Sequence, residues 1–182
     1  MTGLISLHNA IFDALDRASG QILPLLARFS FAAVLLIHYW SSAWTKVGPG
    51  LFGLFRPSDG AYAQIFPRAM EAVSYDSAQL GLSYWLIALA GMWAEFLVPL
   101  LIVIGFFSRL AALAMIGFVL LQSATDVIGH GLSDPQTLGA WFDSAPGSVV
   151  MDQRLMWITM LAIIVFKGGG LLSVDRVMGR LA

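Results

Sequence analysis

Four long apolar runs, parted by one tight turn and two polar loops, set the pattern of this chain. The first extends from about Ile22 to Trp40, with Trp44 just beyond it, and only Arg28 and His38 resist hydrocarbon within it. The second, Ser83 to about Phe107, carries a single charge, Glu95, and one helix-disturbing residue, Pro99. Phe107-Ser108-Arg109 then turns the chain into the third run, Leu110 to Ile128, so that these two helices form an antiparallel hairpin. A hydrocarbon core about 30 Å thick is crossed by roughly 20 apolar residues of helix, and each run therefore predicts a membrane span. The fourth is the weakest, because the stretch from Leu155 to Phe166 reaches a spanning length only by taking in Lys167, the next three glycines and two leucines. Lys167 would then snorkel toward the headgroups. The expected architecture is an all-α, polytopic four-helix bundle in a single domain covering 1–182, with spans at about 22–44, 83–107, 110–128 and 153–172.

Orientation follows from where the basic residues fall. Arg17, Arg28, Arg109, Lys167, Arg176 and Arg180 lie at or near one face, and Lys46, Arg56, Arg68 and Arg154 at the other. Six against four places both termini in the cytoplasm. The first twenty residues mix Asp13, Asp16 and Arg17 with apolar positions and lack the layout of a signal peptide, which predicts an uncleaved amphipathic lead-in at the interface. Residues 45–82 form a long external loop with turn signals at Gly48-Pro49-Gly50 and at 56–60. Within it Ile65, Phe66, Ala69, Met70 and Val73 share one helical side, predicting a short helix that lies on the membrane surface or caps the bundle. The loop from Gly129 to Asp152, rich in Gly, Pro, Ser and Asp, predicts an irregular cover.

Composition narrows the functional classes. The chain is 58% hydrophobic and 12% charged, far from the soluble average, and its net charge of -1 supplies no field for nucleic acid. It contains no cysteine, which removes thiol chemistry and cysteine-ligated metal centres. His8, His38 and His130 stand in separate segments, so no metal or haem site is expected.

Ionisable side chains inside the membrane are costly, which makes their depths informative. At a rise of about 1.5 Å per residue, Arg28 lies about 9 Å and Glu95 about 12 Å from the cytoplasmic surface, so the two can meet. Their pairing would lock the first helix to the second; alternatively, Glu95 exchanges protons with a quinone or substrate headgroup while Arg28 tunes it. His38 and Asp126 both sit about 24 Å up, with Gln122 one turn below Asp126. They are either separate interfacial groups or, together with Trp40, the polar and aromatic walls of a ring-binding site. Gly91, Gly105 and Gly117 allow close helix approach, and Pro99 can kink the second span. Lys167-Gly168-Gly169-Gly170 lacks the ending of a nucleotide-binding loop and predicts a helix stop, after which Ser173 caps a short helix with Asp175, Arg176 and Arg180.

Three local patterns carry a resemblance. Leu25-Leu26-Ala27-Arg28-Phe29 places an arginine at the start of the first span; Ala94-Glu95 leads through a small-residue turn to Ser108-Arg109; and Lys167-Gly168-Gly169-Gly170 is followed by Ser173-Val174-Asp175. In this order, around four spans, they resemble the DoxX family of small bacterial inner-membrane proteins. The family usually has Lys-Gly-Pro-Gly where this chain has Lys-Gly-Gly-Gly, and the first external loop here is longer. The resemblance implies a link to quinone-dependent sulfur oxidation, as in the small membrane subunit of thiosulfate:quinone oxidoreductase, or to oxidative-stress complexes. Arg28, Glu95, Arg109, Lys167 and Asp175 are the positions it singles out.

The expectation is therefore a membrane subunit, not self-sufficient as an enzyme, that binds quinone in the bundle beside a protein partner or in a homo-oligomer. Its site candidates are Glu95, Arg28, His38, Gln122 and Asp126. A non-catalytic scaffold subunit is the alternative, and a small transporter the third reading, weakened by the lack of a visible inverted repeat.

Overall fold

The computed structural model describes residues 2–179, and within them the chain is helical with no strand. In chain order the helices are α1 (Gly3–Lys46), α2 (Asp59–Ile65), α3 (Pro67–Ala72), α4 (Leu82–Ile104), α5 (Ser108–Gly129), α6 (Pro135–Leu138), α7 (Val149–Lys167) and α8 (Val174–Met178). Four of them, α1, α4, α5 and α7, are long and apolar enough to cross a membrane, which makes this a multi-pass membrane protein. Four crossings return the chain to its starting side. We call that side the termini end and the opposite side the loop end.

Buried residues recur at helical spacing on α1 (Ala27, Phe31, Leu35, Tyr39 and Ala43) and form one stripe. The first four pack against Ile102 of α4, Ala112, Met115 and Val119 of α5, and Leu161 and Ile164 of α7. The opposite faces carry exposed apolar residues such as Phe29, Val34, Leu113, Leu121 and Met156. A bundle in water would hide these; in lipid they face a matching solvent.

At the termini end, Arg28 and Asp175, two of the five positions singled out by resemblance, build one seal. Helix α4 ends in Gly105, at φ +71, whose N–H reaches the carbonyls of Leu101 and Ile102. Asp175 then caps α5, its two carboxylate oxygens accepting from the N–H groups of Phe107 (2.7 Å) and Ser108 (2.8 Å), while its own N–H donates to the Gly105 carbonyl at 2.9 Å. Arg28 donates to four carbonyls: Ile102 (2.9 Å), Val103 (2.5 Å), Gly169 (2.7 Å) and Leu172 (2.6 Å). The Ile102 carbonyl also accepts from the Gly105 N–H, whereas those of Val103, Gly169 and Leu172 lie at the helix end and in the glycine loop, where hydrocarbon would leave acceptors unsatisfied. A methyl group on Gly105 would lie 2.5 Å from Ser173 Cβ and 2.8 Å from Arg28 Cζ. Gly105→Ala should therefore cost about 3 kcal/mol or more, seen as a fall in detergent melting temperature, whereas Gly117→Ala, with nothing within 4 Å, should be neutral or slightly stabilising.

Two boundaries differ from the sequence expectation. The fourth span gains its length before residue 155, because Ser148 and Asp152 cap its start reciprocally, the Ser148 N–H and hydroxyl donating to the Asp152 carboxylate. It ends at Lys167, since Gly168 at φ +81 leaves the helix and the three glycines turn back into the bundle. The helix stop and the Ser173 cap, which accepts from the Arg176 N–H, are present; Arg180 lies outside the described residues. The helix expected after Gly60 is two helices, because Pro67 forces Phe66 out of helical geometry (φ -129, ψ 59). Both halves pack against α4, with Tyr62 and Met70 buried against Ala88. The second loop is irregular apart from α6, a single turn capped by Asp134. Hydrogen bonds from the Thr137 hydroxyl and N–H hold that carboxyl below its ordinary range.

Candidate functional site

Side chains on a helix tilt toward its N-terminus. Because α1 and α4 run antiparallel, the heads of Lys46 and Glu95 lean toward each other, whereas those of Arg28 and Glu95 lean apart. Lys46, the last residue of α1, accordingly bends back along its own helix to Ser42 Oγ (2.8 Å) and meets Glu95 Oε2 at 3.0 Å. Both side chains are only 5% exposed. Such a pair contributes little net stability against apolar substitutes, yet breaking it leaves one charge stranded. Its cost implies a use, or a demand for specificity.

The pair forms one wall of a cavity of about 420 Å³. Ala90, Gly91 and Ala94 make room for it along α4, while Phe118, Leu121 and Gln122 form the facing wall on α5. Gln64 and Ile65 of α2 line its loop end together with His130, whose Nε2 sits 3.1 Å from the Gln64 carbonyl. Ile87, Ala90 and Leu121 are also exposed, so the mouth opens between α4 and α5 onto the apolar belt. Gln122 Oε1 is buried with no hydrogen-bonding partner among the described residues, as are Tyr39 Oη and Arg154 Nε. Below Lys46, Tyr39 packs edge-on against Phe118 and Trp157.

The residues expected from sequence separate into three groups. Glu95, Gln122 and Asp126 all line the cavity. Arg28 does not touch Glu95 and belongs to the seal at the termini end. His38 faces outward beside Trp157, with ring centroids 5.8 Å apart, and is not joined to Asp126. Equal height on two helices says nothing about rotation, and the buried stripe of α1 passes through Tyr39, one residue away. Asp126 instead accepts from Arg154 Nη2 at 2.5 Å, and Arg154 Nη1 donates to Ser123 Oγ at 2.9 Å. Trp40 lies elsewhere, donating to the Phe96 carbonyl at 3.1 Å. Arg109 and Lys167 are exposed.

Compared with known proteins, the chain matches no family model, no curated protein and no solved structure.

Sequence reasoning missed Lys46 and Arg154, which it placed outside with the loop charges. The signal for Lys46 was present: it continues the spacing of Tyr39, Ser42 and Ala43, so it extends the buried stripe by one more turn. Among the described residues no cluster of His, Asp and Glu has the form of a metal site. What the arrangement offers is a pocket with one cation (Lys46), two carboxylates (Glu95 and Asp126) and one free amide oxygen (Gln122).

Proposed function

We propose that this protein is a quinone-binding, DoxX-like subunit of a bacterial inner-membrane oxidoreductase, with both termini in the cytoplasm. The observation that carries the reading is a buried Lys46–Glu95 pair on the wall of a lipid-facing cavity of about 420 Å³. Ligand pockets commonly measure about 300–1,000 Å³ and combine apolar walls with a few convergent polar groups. A quinone headgroup suits this one: a flat apolar ring beside Phe118, a carbonyl oxygen toward Lys46 Nζ, and an isoprenoid tail leaving between Ile87 and Leu121. The Gln122 amide can turn to present either its acceptor or its donor face. When bound, a quinone supplies two-electron chemistry that no side chain here can provide. Glu95 would hold or yield one of the two protons that accompany the electrons, the other exchanging with water, and Lys46 keeps the carboxylate oriented by its second bond to Ser42.

A partner must deliver the electrons, and the loop end offers it an apolar tip. Leu51, Phe52 and Phe55 are exposed there, and the tip is held by Trp93 and Trp85, whose Nε1 atoms donate to the carbonyls of Leu54 (3.0 Å) and Phe55 (3.3 Å). The same feature supports the scaffold reading. The experiment is purification in gentle detergent, followed by mass spectrometry of bound quinones and proteins. Quinone retained by the natural chain and lost from a folded Glu95→Gln variant is the expected result. A stable protein partner with no quinone in either sample would replace this reading with a scaffold.

A further inference from the structure

Helix α1 has 44 residues and is about 66 Å long, roughly twice the thickness of the hydrocarbon core. Its first part touches nothing: residues 3–17 are exposed on every side. That arm is nonetheless two-faced, with Leu4, Leu7, Ile11 and Leu15 on one side and Ser6, Asn9, Asp13 and Asp16 on the other. In water such a stripe of large apolar residues is unfavourable.

Two further observations identify what covers it. First, the stripe is in helical phase with the lipid-facing side of the span above, where Ile22, Leu26 and Phe29 are exposed. An arm swung outward beneath the lipid turns that same side upward, so the phase matches the motion that would bury it. Second, a hinge stands where the swing needs it. Pro24 has no N–H to offer the carbonyl of Gly20, one turn earlier, and a side chain at Gly20 would meet nothing within 4 Å, so packing does not explain the glycine. Above this point the helix is anchored, since Gln21 Oε1 accepts from Arg176 Nη1 at 2.6 Å and Gly170 lies against Pro24.

We propose that residues 3–19 bend at Gly20–Pro24 and lie on the bilayer surface at the termini end, with Leu4, Leu7, Ile11 and Leu15 inserted at the headgroup–acyl boundary. The occupant of this face is lipid. Its charged side chains, Asp13, Asp16 and Arg17, give no excess of positive charge, so zwitterionic lipid is sufficient and anionic headgroups are not required. The inference is independent of the quinone site.

The full chain has no cysteine, so single labels can be introduced one at a time. Ile11→Cys and Asp13→Cys, spin-labelled in nanodiscs of zwitterionic lipid, would be compared for accessibility to oxygen and to a water-soluble nickel chelate. We expect the label at 11 to favour oxygen several-fold and the label at 13 to favour nickel. Nickel access at both positions would overturn the proposal in favour of a free arm, and shielding of both from both reagents would overturn it in favour of a second copy or another protein. Adding Gly20→Ala and Pro24→Ala together restores the broken helical ladder and should raise nickel access at 11 toward that at 13. An unchanged value in this variant would overturn the hinge.

Discussion

Arg28→Leu should leave little monodisperse protein after detergent extraction, whereas Arg109→Leu and Lys167→Leu should behave like the natural chain. All three positions belong to one sequence resemblance, but only Arg28 is buried. Its guanidinium satisfies the carbonyls of Ile102, Val103, Gly169 and Leu172 and so joins the ends of α4 and α7 to α1. Hydrogen bonds to a charged donor contribute about 1.5–3 kcal/mol each, and unsatisfied carbonyls in hydrocarbon have no water to replace them. A loss of about 3–5 kcal/mol is expected, enough to consume much of a marginal stability. The exposed arginine and lysine should change the melting temperature by an amount equivalent to about 0.5 kcal/mol or less. Equal tolerance at all three positions would contradict the seal.

The second large effect concerns the cavity. Lys46→Met should destabilise by about 3–5 kcal/mol, because Glu95 is left as a carboxylate in a dry wall with its cation removed. Combining Lys46→Met with Glu95→Leu should recover most of that loss, since apolar residues of similar volume replace a buried pair at little net cost. Quinone retention should not recover in the double variant. Thermal unfolding followed by size exclusion, with quinone content measured on the same samples, separates the two roles. A double variant that is stable and still holds quinone would remove Lys46 and Glu95 from the site; one no more stable than Lys46→Met would show that the pair itself organises the bundle.

Glu95 was legible because it stands alone in an apolar run, and Gln122 and Asp126 because they break another near its end. Arg28 was equally visible, but its partners were not: carbonyl groups at helix ends leave no mark in side-chain chemistry. Asp175 was legible as a residue of the short helix after Ser173 and as a position of the resemblance, but not in its role, a cap made for a helix 67 residues away. Lys46 was hidden by its neighbours, since a lysine followed by Val47 and Gly48-Pro49-Gly50 resembles any charge at a membrane boundary. Pro67 broke the expected loop helix by a local rule that the apolar pattern around it masked.

The sequence by itself determined that four segments enter lipid and which few polar residues enter with them, because transfer into hydrocarbon is governed by the local run of side chains. Only the tertiary structure decided which of those polar residues meet. Lys46 converges on Glu95 and Arg28 turns away from it because helical side chains lean toward their own N-termini, and the antiparallel packing of α1 and α4 makes one pair approach while the other diverges.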